Sequence, residues 1–376
     1  DRSVSRGLGD VYKRQFQYYS NFMRNHPVMD KNIRDDTQIS RLLKYNIKEQ
    51  DINLFLRAWN QMNNTKECIY VGYDSTNFNT NAYGIELADY GHSKVDEGLP
   101  QYNLAYAVNQ KDSTPLFYEL YDGSVIDNTE LEIMLEEAKE FGHEKLGVLM
   151  DRGYISEKNI KALRTKGYEY ILMMKQNQRI CQEIIEEYGA AVQSLEGYYI
   201  GEHGVYGTTV KKQLYGQETN IHVYYDDIRA SEEKVALMSR YETWEKEIEK
   251  KVEKKLATEG EMKKYRKVFK LKYDQNGYLV AYQRNSRYIK EEIRNLGFFF
   301  IMTSEDVSAS KALDIYRGRD NIEKMFRSLK SGIDFNKARV HTTESLKSKV
   351  FVTFIAMIVS CLLYTSPSPR DTERSR

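Results

Sequence analysis

The sequence predicts an α/β protein interrupted, before its last charged helix, by a mostly β insertion. Three observations carry that reading. Strand-like and helix-like segments succeed one another from Cys68 to Lys175, opening with three consecutive strands and closing on strand, helix, strand. Over 176–297 this succession gives way to short strand-like pieces around one Lys/Glu-rich helix. The strand character returns at FFFIMTSED, Phe298–Asp306, and leads into amphipathic and apolar helices.

Composition bounds the function classes. The 376 residues are 41% hydrophobic, enough for a substantial core in one large or two ordinary domains. Fifty-six basic against 55 acidic residues leave a net charge of +1, so any nucleic-acid contact must be a local patch and not a global field. Cys68, Cys181 and Cys361 are far apart without a CxxC, and the six histidines show no zinc spacing. That argues against disulfides and structural zinc and points to a reducing, cytoplasmic setting, as does the lack of a signal-peptide-like run.

The two ends have a different character. Ser5–Gln15 (SRGLGDVYKRQ) and Cys361–Asp371 (CLLYTSPSPRD) resemble in-frame translations of sequencing adapters. On that resemblance 1–15 and 361–376 are non-native and the native protein runs from about Phe16 to Ser360. The apolar run Val350–Leu363 falls short of the roughly 20 residues that span a bilayer and reads as a buried helix, with no membrane partner.

In chain order, 16–66 reads as helices, with Ile39, Leu42, Leu43, Ile52, Leu54, Phe55 and Trp59 at helical spacing. It is either a remnant that binds DNA ends or a helical cap on the next domain. The segment 67–175 begins with CIYVGYDSTNF, a β-branched and aromatic strand that places Asp74 within or at the end of it. A carboxylate there needs a positive partner, unless it makes a turn with Ser75, Thr76 and Asn77. YNLAYAV and PLFYELY complete an antiparallel meander, and Asp127 with Glu130 forms a capping box for the helix that follows. Leu146–Met150 is a short apolar strand ending in Asp151, either a turn residue or a site residue at the carboxyl end of a buried strand. Ser156 caps the next helix, Gly167 ends it, and Tyr168–Lys175 is a fifth strand.

Within 176–297, Lys263, Lys264, Arg266, Lys267, Lys270 and Lys272, interleaved with Tyr265 and Phe269, read either as wetted surface or as a nucleic-acid contact. In the closing segment, 298–360, Ala312–Ser331 drawn as one helix puts Tyr316, Arg319, Glu323 and Lys330 within an arc of roughly 60°. Ile315, Ile322, Phe326 and Leu329 form an apolar stripe beside them. A solvated helix with an Arg319–Glu323 pair would look the same. So would a carboxylate shown to a cleft between two cations and a phenol, an arrangement suited to a metal beside a phosphate.

YDSTNF, LMDRGYIS and the Tyr316, Arg319, Glu323, Lys330 set resemble, in order and spacing, the three signature blocks of bacterial DDE transposases of the insertion-sequence-four group. That resemblance covers nearly all of Cys68–Ser360. It implies a ribonuclease-H-like mixed sheet flanked by helices, with the insertion before the last catalytic helix. It implies Asp74, Asp151 and Glu323 as catalytic residues and as ligands of two Mg²⁺ ions, for which Mn²⁺ can substitute, and Tyr316, Arg319 and Lys330 as DNA-binding residues. Arg152 and Arg327 would assist or form surface ion pairs. The implied reaction is metal-dependent cleavage at the inverted-repeat ends of an insertion sequence and strand transfer into target DNA, by a homodimer acting at the bacterial nucleoid. The same carboxylates would serve a ribonuclease-H-like nuclease or resolvase without strand transfer, and an inactive DNA-binding remnant would keep the sequence largely as it is. Against the family, the end-recognition and dimerisation parts are expected to be curtailed before Phe16 and after Ser360.

Overall fold

The computed structural model describes residues 24, 35–64, 68–91, 96, 98–125, 127–143, 145–150, 152–194, 196–253, 260–327 and 339–365. The chain divides into two compact units, one of Asp1–Leu172 with Ile315–Arg376 and the other of Met173–Asp314.

The first unit opens with α1 (Asp36–Arg41), a π-helical turn at Leu42–Asn46 and α2 (Glu49–Asn63). Asp35 caps α1 by accepting from the Gln38 amide, in a reciprocal capping box. Leu43, Ile52 and Leu56 are buried, whereas Leu54 is exposed. Asn60 is also buried and donates from Nδ2 to the carbonyls of Leu56 and Leu116, fastening α2 to the sheet. The strands β1 (Ile69–Asn79), β2 (Gln101–Asn109) and β3 (Pro115–Asp122) form the expected meander. They precede α3 (Asp127–Glu140), β4 (Leu146–Met150), α4 (Glu157–Lys166) and β5 (Glu169–Met173).

In this unit the strand order is β3-β2-β1-β4-β5. β1 pairs antiparallel with β2 and parallel with β4, and β4 pairs parallel with β5. This is the mixed, helix-flanked, ribonuclease-H-like sheet that the sequence predicts. Its central strands are buried almost throughout, as continuous apolar runs covered on both faces should be. Tyr70 lies opposite Gly147, which in turn lies opposite Glu169. A Cβ at Gly147 would come within 2.5 Å of the Tyr70 ring, so glycine is what lets the ring cross β4 and donate its hydroxyl to Glu169 Oε2 at 2.6 Å. The ends of α4 are as the sequence predicts: Ser156 accepts from the Asn159 amide, and Gly167 closes the helix in the left-handed region at φ 74°.

In the second unit, α5 (Arg179–Ser194) precedes β6 (Tyr199–Ile200), β7 (Val205–Leu214) and β8 (Gln217–Tyr225). The long α6 (Asp227–Glu253), β9 (Phe269–Tyr273), β10 (Leu279–Arg284), α7 (Ser286–Arg294), β11 (Phe298–Thr303) and most of α8 (Ala309–Arg317) follow. β11, β8, β7 and β6 are antiparallel neighbours, while β9 and β10 form a separate two-stranded ribbon. The segment 176–297, expected to be mostly β, is richer in helix than in strand. Cys181, Ile184, Ile185 and Val192 recur at helical spacing along α5 and are buried, a stripe that a reading based on short strands passes over. α6 packs Leu237, Tyr241 and Ile248 against Met262, Tyr265, Val268, Phe269 and Leu279. Its root is pinned to β11 by Gly297, whose amide donates to Glu233 Oε2 and whose carbonyl accepts from the Asp226 amide. Gly297 has φ +80°, and a Cβ there would lie 2.5 Å from that of Ala230.

The first unit resumes with α9 (Asp320–Arg327) and α10 (Thr343–Thr365). α10 extends beyond the apolar run of the sequence because Thr343 to Lys349 continue the helix on its N-terminal side, and it is long and apolar enough to cross a membrane by length and composition. One face is nevertheless core. Leu346, Val350, Phe354, Met357 and Ile358 are buried, Phe354 packs on Tyr106 and Tyr118, and Phe351 meets Phe55 of α2 edge to face. Cys68, Cys181 and Cys361 are not joined in disulfides.

His222, on β8 and fully buried, sits between two hydroxyls: Nδ1 is 2.8 Å from Thr209 Oγ1 and Nε2 is 3.0 Å from Thr303 Oγ1. Thr303 donates its own proton to the Glu305 carbonyl, so it accepts from Nε2–H and Thr209 donates to Nδ1. The neutral ring satisfies both, and burial pushes the imidazole down to about 4 despite the opposing field of Asp306. The unfolded chain takes up a proton below about pH 6.5 that the folded chain refuses until near pH 4, so stability is lost as pH falls through this window. Chemical denaturation should show wild type losing about 1 kcal/mol more between pH 7 and 5.5 than His222→Gln, which keeps polar atoms near both hydroxyls but has nothing to titrate.

Candidate active site

Asp74 is the sixth residue of β1, opposite Tyr106 of β2. On its other edge β1 follows β4 in register from Ile69↔Leu146 to Gly72↔Leu149, and β4 ends at Met150. The Asp74 backbone therefore lies in the middle of β1, two residues past the last parallel pair and level with the carboxyl end of β4. That is where α/β sheets open to ligands. Asp151 follows Met150 in sequence; it lies outside the described residues, as does Lys330, and so does the Asp74 side chain.

Tyr106, buried beside Tyr118 and Tyr102, has its hydroxyl pushed well above the ordinary phenol range, first by burial and then by those two neighbours. Tyr73, next to Asp74, donates its hydroxyl to the buried carboxylate of Glu119. Neither β2 nor β3 carries a cation.

The Tyr-Arg-Glu set departs from the single helix expected over 312–331. α8 stops at Arg317, Gly318 and Arg319 form a turn, and α9 begins at Asp320. The amides of Gly318 and Arg319 bond back three residues, to Ile315 and Tyr316, tightening the chain at the break. The cause is tertiary. The Gln110 side chain occupies the place a Cβ at 318 would fill, with Nε2 2.0 Å and Cγ 2.4 Å from it, and the Gln110 amide is itself bonded to the Tyr70 carbonyl of β1. Glycine both weakens the helix here and makes room for Gln110.

The break does not separate the three residues. Arg319 donates from Nη1 to the Tyr316 hydroxyl at 2.9 Å and from Nη2 to Glu323 Oε1 at 3.2 Å. Burial grades along this chain: Tyr316 is 8% exposed, the Arg319 side chain 15% and the Glu323 side chain 54%. A nearly buried phenol thus fixes a guanidinium, which fixes a carboxylate at the surface. α9, which carries Glu323, lies against β1, which carries Asp74. Arg152 and Arg327 are exposed.

A second group of ionisable residues is not apparent from the sequence. In the second unit Glu202, His203 and Asp314 bring their ligand atoms within 4.8 Å of one another, with His203 Nε2 2.7 Å from Asp314 Oδ1. Adjacent Glu and His in a turn, distant in sequence from an Asp on a helix, give no spacing signal; only the fold joins them.

Residues 72–359 match the family described as Transposase DDE domain. No curated protein matches the chain. Among solved structures, the chain is similar to the Mos1 transposase paired-end complex with left transposon end at 14% identity, over 45% of this chain and 57% of that one, with a TM-score of 0.21. The Mos1 mariner paired end complex with Mn gives 16% identity over 44% and 56%, with a TM-score of 0.20. The piggyBac transposase synaptic complex with hairpin DNA gives 8% identity over 96% and 71%, with a TM-score of 0.39. The chain spans just over half the length of the Mos1 chains it matches. With the family match covering the sheet, α9 and most of α10, this chain belongs to the transposase DDE domain family.

Proposed function

We propose that the protein cuts DNA at the ends of an insertion sequence and joins the freed ends to target DNA, with Asp74, Asp151 and Glu323 as its catalytic carboxylates. One observation supports this most: α9, which carries Glu323, lies against β1, which carries Asp74, and β1 runs parallel to β4, the strand that Asp151 follows in sequence. The donor set fits hard divalent ions such as Mg²⁺ or Mn²⁺, because all three residues offer carboxylate oxygen and Glu323 is engaged by Arg319 through Oε1. A bound pair of such ions would stabilise the attacking and leaving oxygens of an in-line phosphoryl transfer.

The chain's own residues do the rest. Arg319 is held in place from both sides before DNA arrives, so little side-chain freedom remains to be lost when it meets a phosphate. Tyr316, 8% exposed, accepts from Arg319, so that besides its own part in binding DNA it would aim the guanidinium. Lys330 would add a point charge to the same DNA strand. Water would be the first nucleophile and the freed 3′-hydroxyl the second, without a covalent protein intermediate. A homodimer would hold the two element ends, and the site of action would be the bacterial nucleoid.

The test uses a labelled duplex carrying the inverted repeat that flanks the gene, with Mg²⁺ and a second duplex as target. Wild type should give cleaved and joined products. Asp74→Asn and Glu323→Gln should each lower both by about a thousandfold or more with unchanged circular dichroism. Joined products absent while cleavage persists would identify a nuclease or resolvase. Cutting that these substitutions leave untouched would remove the assignment altogether.

The helix break gives an independent check. Gly318→Ala should displace Gln110 or the turn, misplace Arg319 and Glu323, and reduce cleavage by roughly tenfold or more. Gln110→Ala in the same chain should restore most of the rate by clearing the space. A double-mutant cycle on initial rates reads the coupling; additive effects would show that Gln110 does not set the turn.

A further inference from the structure

The basic run of the second unit has two sides, and the structure separates them. On β9, Phe269, Leu271 and Tyr273 point toward the α6 cluster, while Lys270 and Lys272 are exposed on the other face. Across the ribbon the exposed lysines sit opposite Gln283 and Ala281, which are exposed as well. Lys263 and Lys267, in the turn that feeds the ribbon, are exposed too. No acidic residue occurs from Met262 to Tyr273 or from Leu279 to Arg284.

The nearby carboxylates are committed elsewhere. Glu245 takes Arg284, Glu247 takes Lys264 and the Tyr265 hydroxyl, and Glu249 accepts from the Tyr282 hydroxyl. Asp274, in the ribbon's own turn, accepts from the amides of Asn276 and Tyr278. Among the described residues, Lys263, Lys267, Lys270 and Lys272 therefore face solvent with no carboxylate against them. In a chain of net charge +1 this is a local excess of positive charge.

We infer that this face, the outer side of the β9–β10 ribbon with its feeding turn, docks on the backbone of duplex DNA without reading sequence. The inference rests on the proposed action on DNA and adds a second binding surface to it. Lysines two residues apart on a strand are separated by about 7 Å, and their flexible stems let each reach a phosphate. Tyr265 and Phe269, which by sequence looked like stacking platforms, are both buried, so neither offers a ring to an unpaired base. Next to the lysines lie Gln283 and Ala281, and the exposed large apolar side chains of the ribbon are Val280 and Tyr278, less than the apolar face that binding to a membrane interface needs.

The test is a salt titration of the full chain binding a fluorescent duplex of arbitrary sequence, by anisotropy and in EDTA so that nothing is cut. The variants are K270Q/K272Q, K263Q/K267Q and all four together, with K111Q/K139Q on the first unit as control. The slope of log affinity against log salt should fall by roughly 0.9 for each phosphate no longer neutralised, hence by about 3 to 4 for the quadruple variant, whose low-salt affinity should drop by about tenfold to a hundredfold. An unchanged slope and affinity would overturn the inference, as would an equal effect of the control pair, since that would be net charge alone. So would anionic phosphatidylserine vesicles taking over as the partner, with vesicle binding abolished in the quadruple variant and duplex binding kept. Should the quadruple variant fail to melt cooperatively, the two double variants carry the test separately. Duplex binding in EDTA reads the ribbon without any cutting, so a failure of the ribbon leaves the cleavage assignment standing, and a failure of cleavage leaves the ribbon standing.

Discussion

Everything in the first unit depends on β1 using both of its edges, antiparallel to β2 and parallel to β4. A parallel pair cannot be joined by a short turn, so the chain must leave the meander, cross a face of the sheet as α3 and return. That crossover covers one part of the sheet with Leu131, Met134, Leu135 and Ala138. It also forces the carboxyl ends of β1 and β4 to the same side, which is what makes two acids far apart in sequence candidates for one site. α10 covers strands β2 and β3 through Phe354, and the buried tyrosines of the meander have their bulk packed by it. The proposed site would then be a by-product of how the sheet hides its faces.

Around that frame, polar groups are placed by burial more than by pairing strength. The Arg319–Glu323 pair is half exposed at its carboxylate and would contribute little as a surface ion pair. Its value is geometric, because Tyr316 anchors the guanidinium from the protein side. In the second unit the same economy appears in His222, whose neutral ring joins two strands through hydroxyls that a charged ring would suit less well.

Much of this was legible in the residues. The caps Ser156 and Gly167, the strand ending at Met150 and the return to strand at Phe298 all follow from local chemistry: a short polar side chain, a left-handed glycine, apolar runs closed by a charge. What was not legible depended on distant partners. Nothing near Gly318 says that Gln110 will occupy its missing side chain and split the signature helix. Likewise the cations of 263–272 look alike in sequence, and only the position of Glu247 on α6 decides that Lys264 is neutralised. The Glu202, His203 and Asp314 grouping is hidden for the same reason, since its members come from a turn and a helix that the chain reaches far apart.

Gly297 shows how narrowly the arm on the second unit is tethered. Its backbone adopts an angle few other residues tolerate and meets the first turn of α6 closer than any side chain permits, while Glu233 and Asp226 bond to it from both sides. Mutational drift at that position is closed to everything but hydrogen. Variation in the charged arm over generations must then come from its far end or its surface, with its point of attachment to β11 held constant.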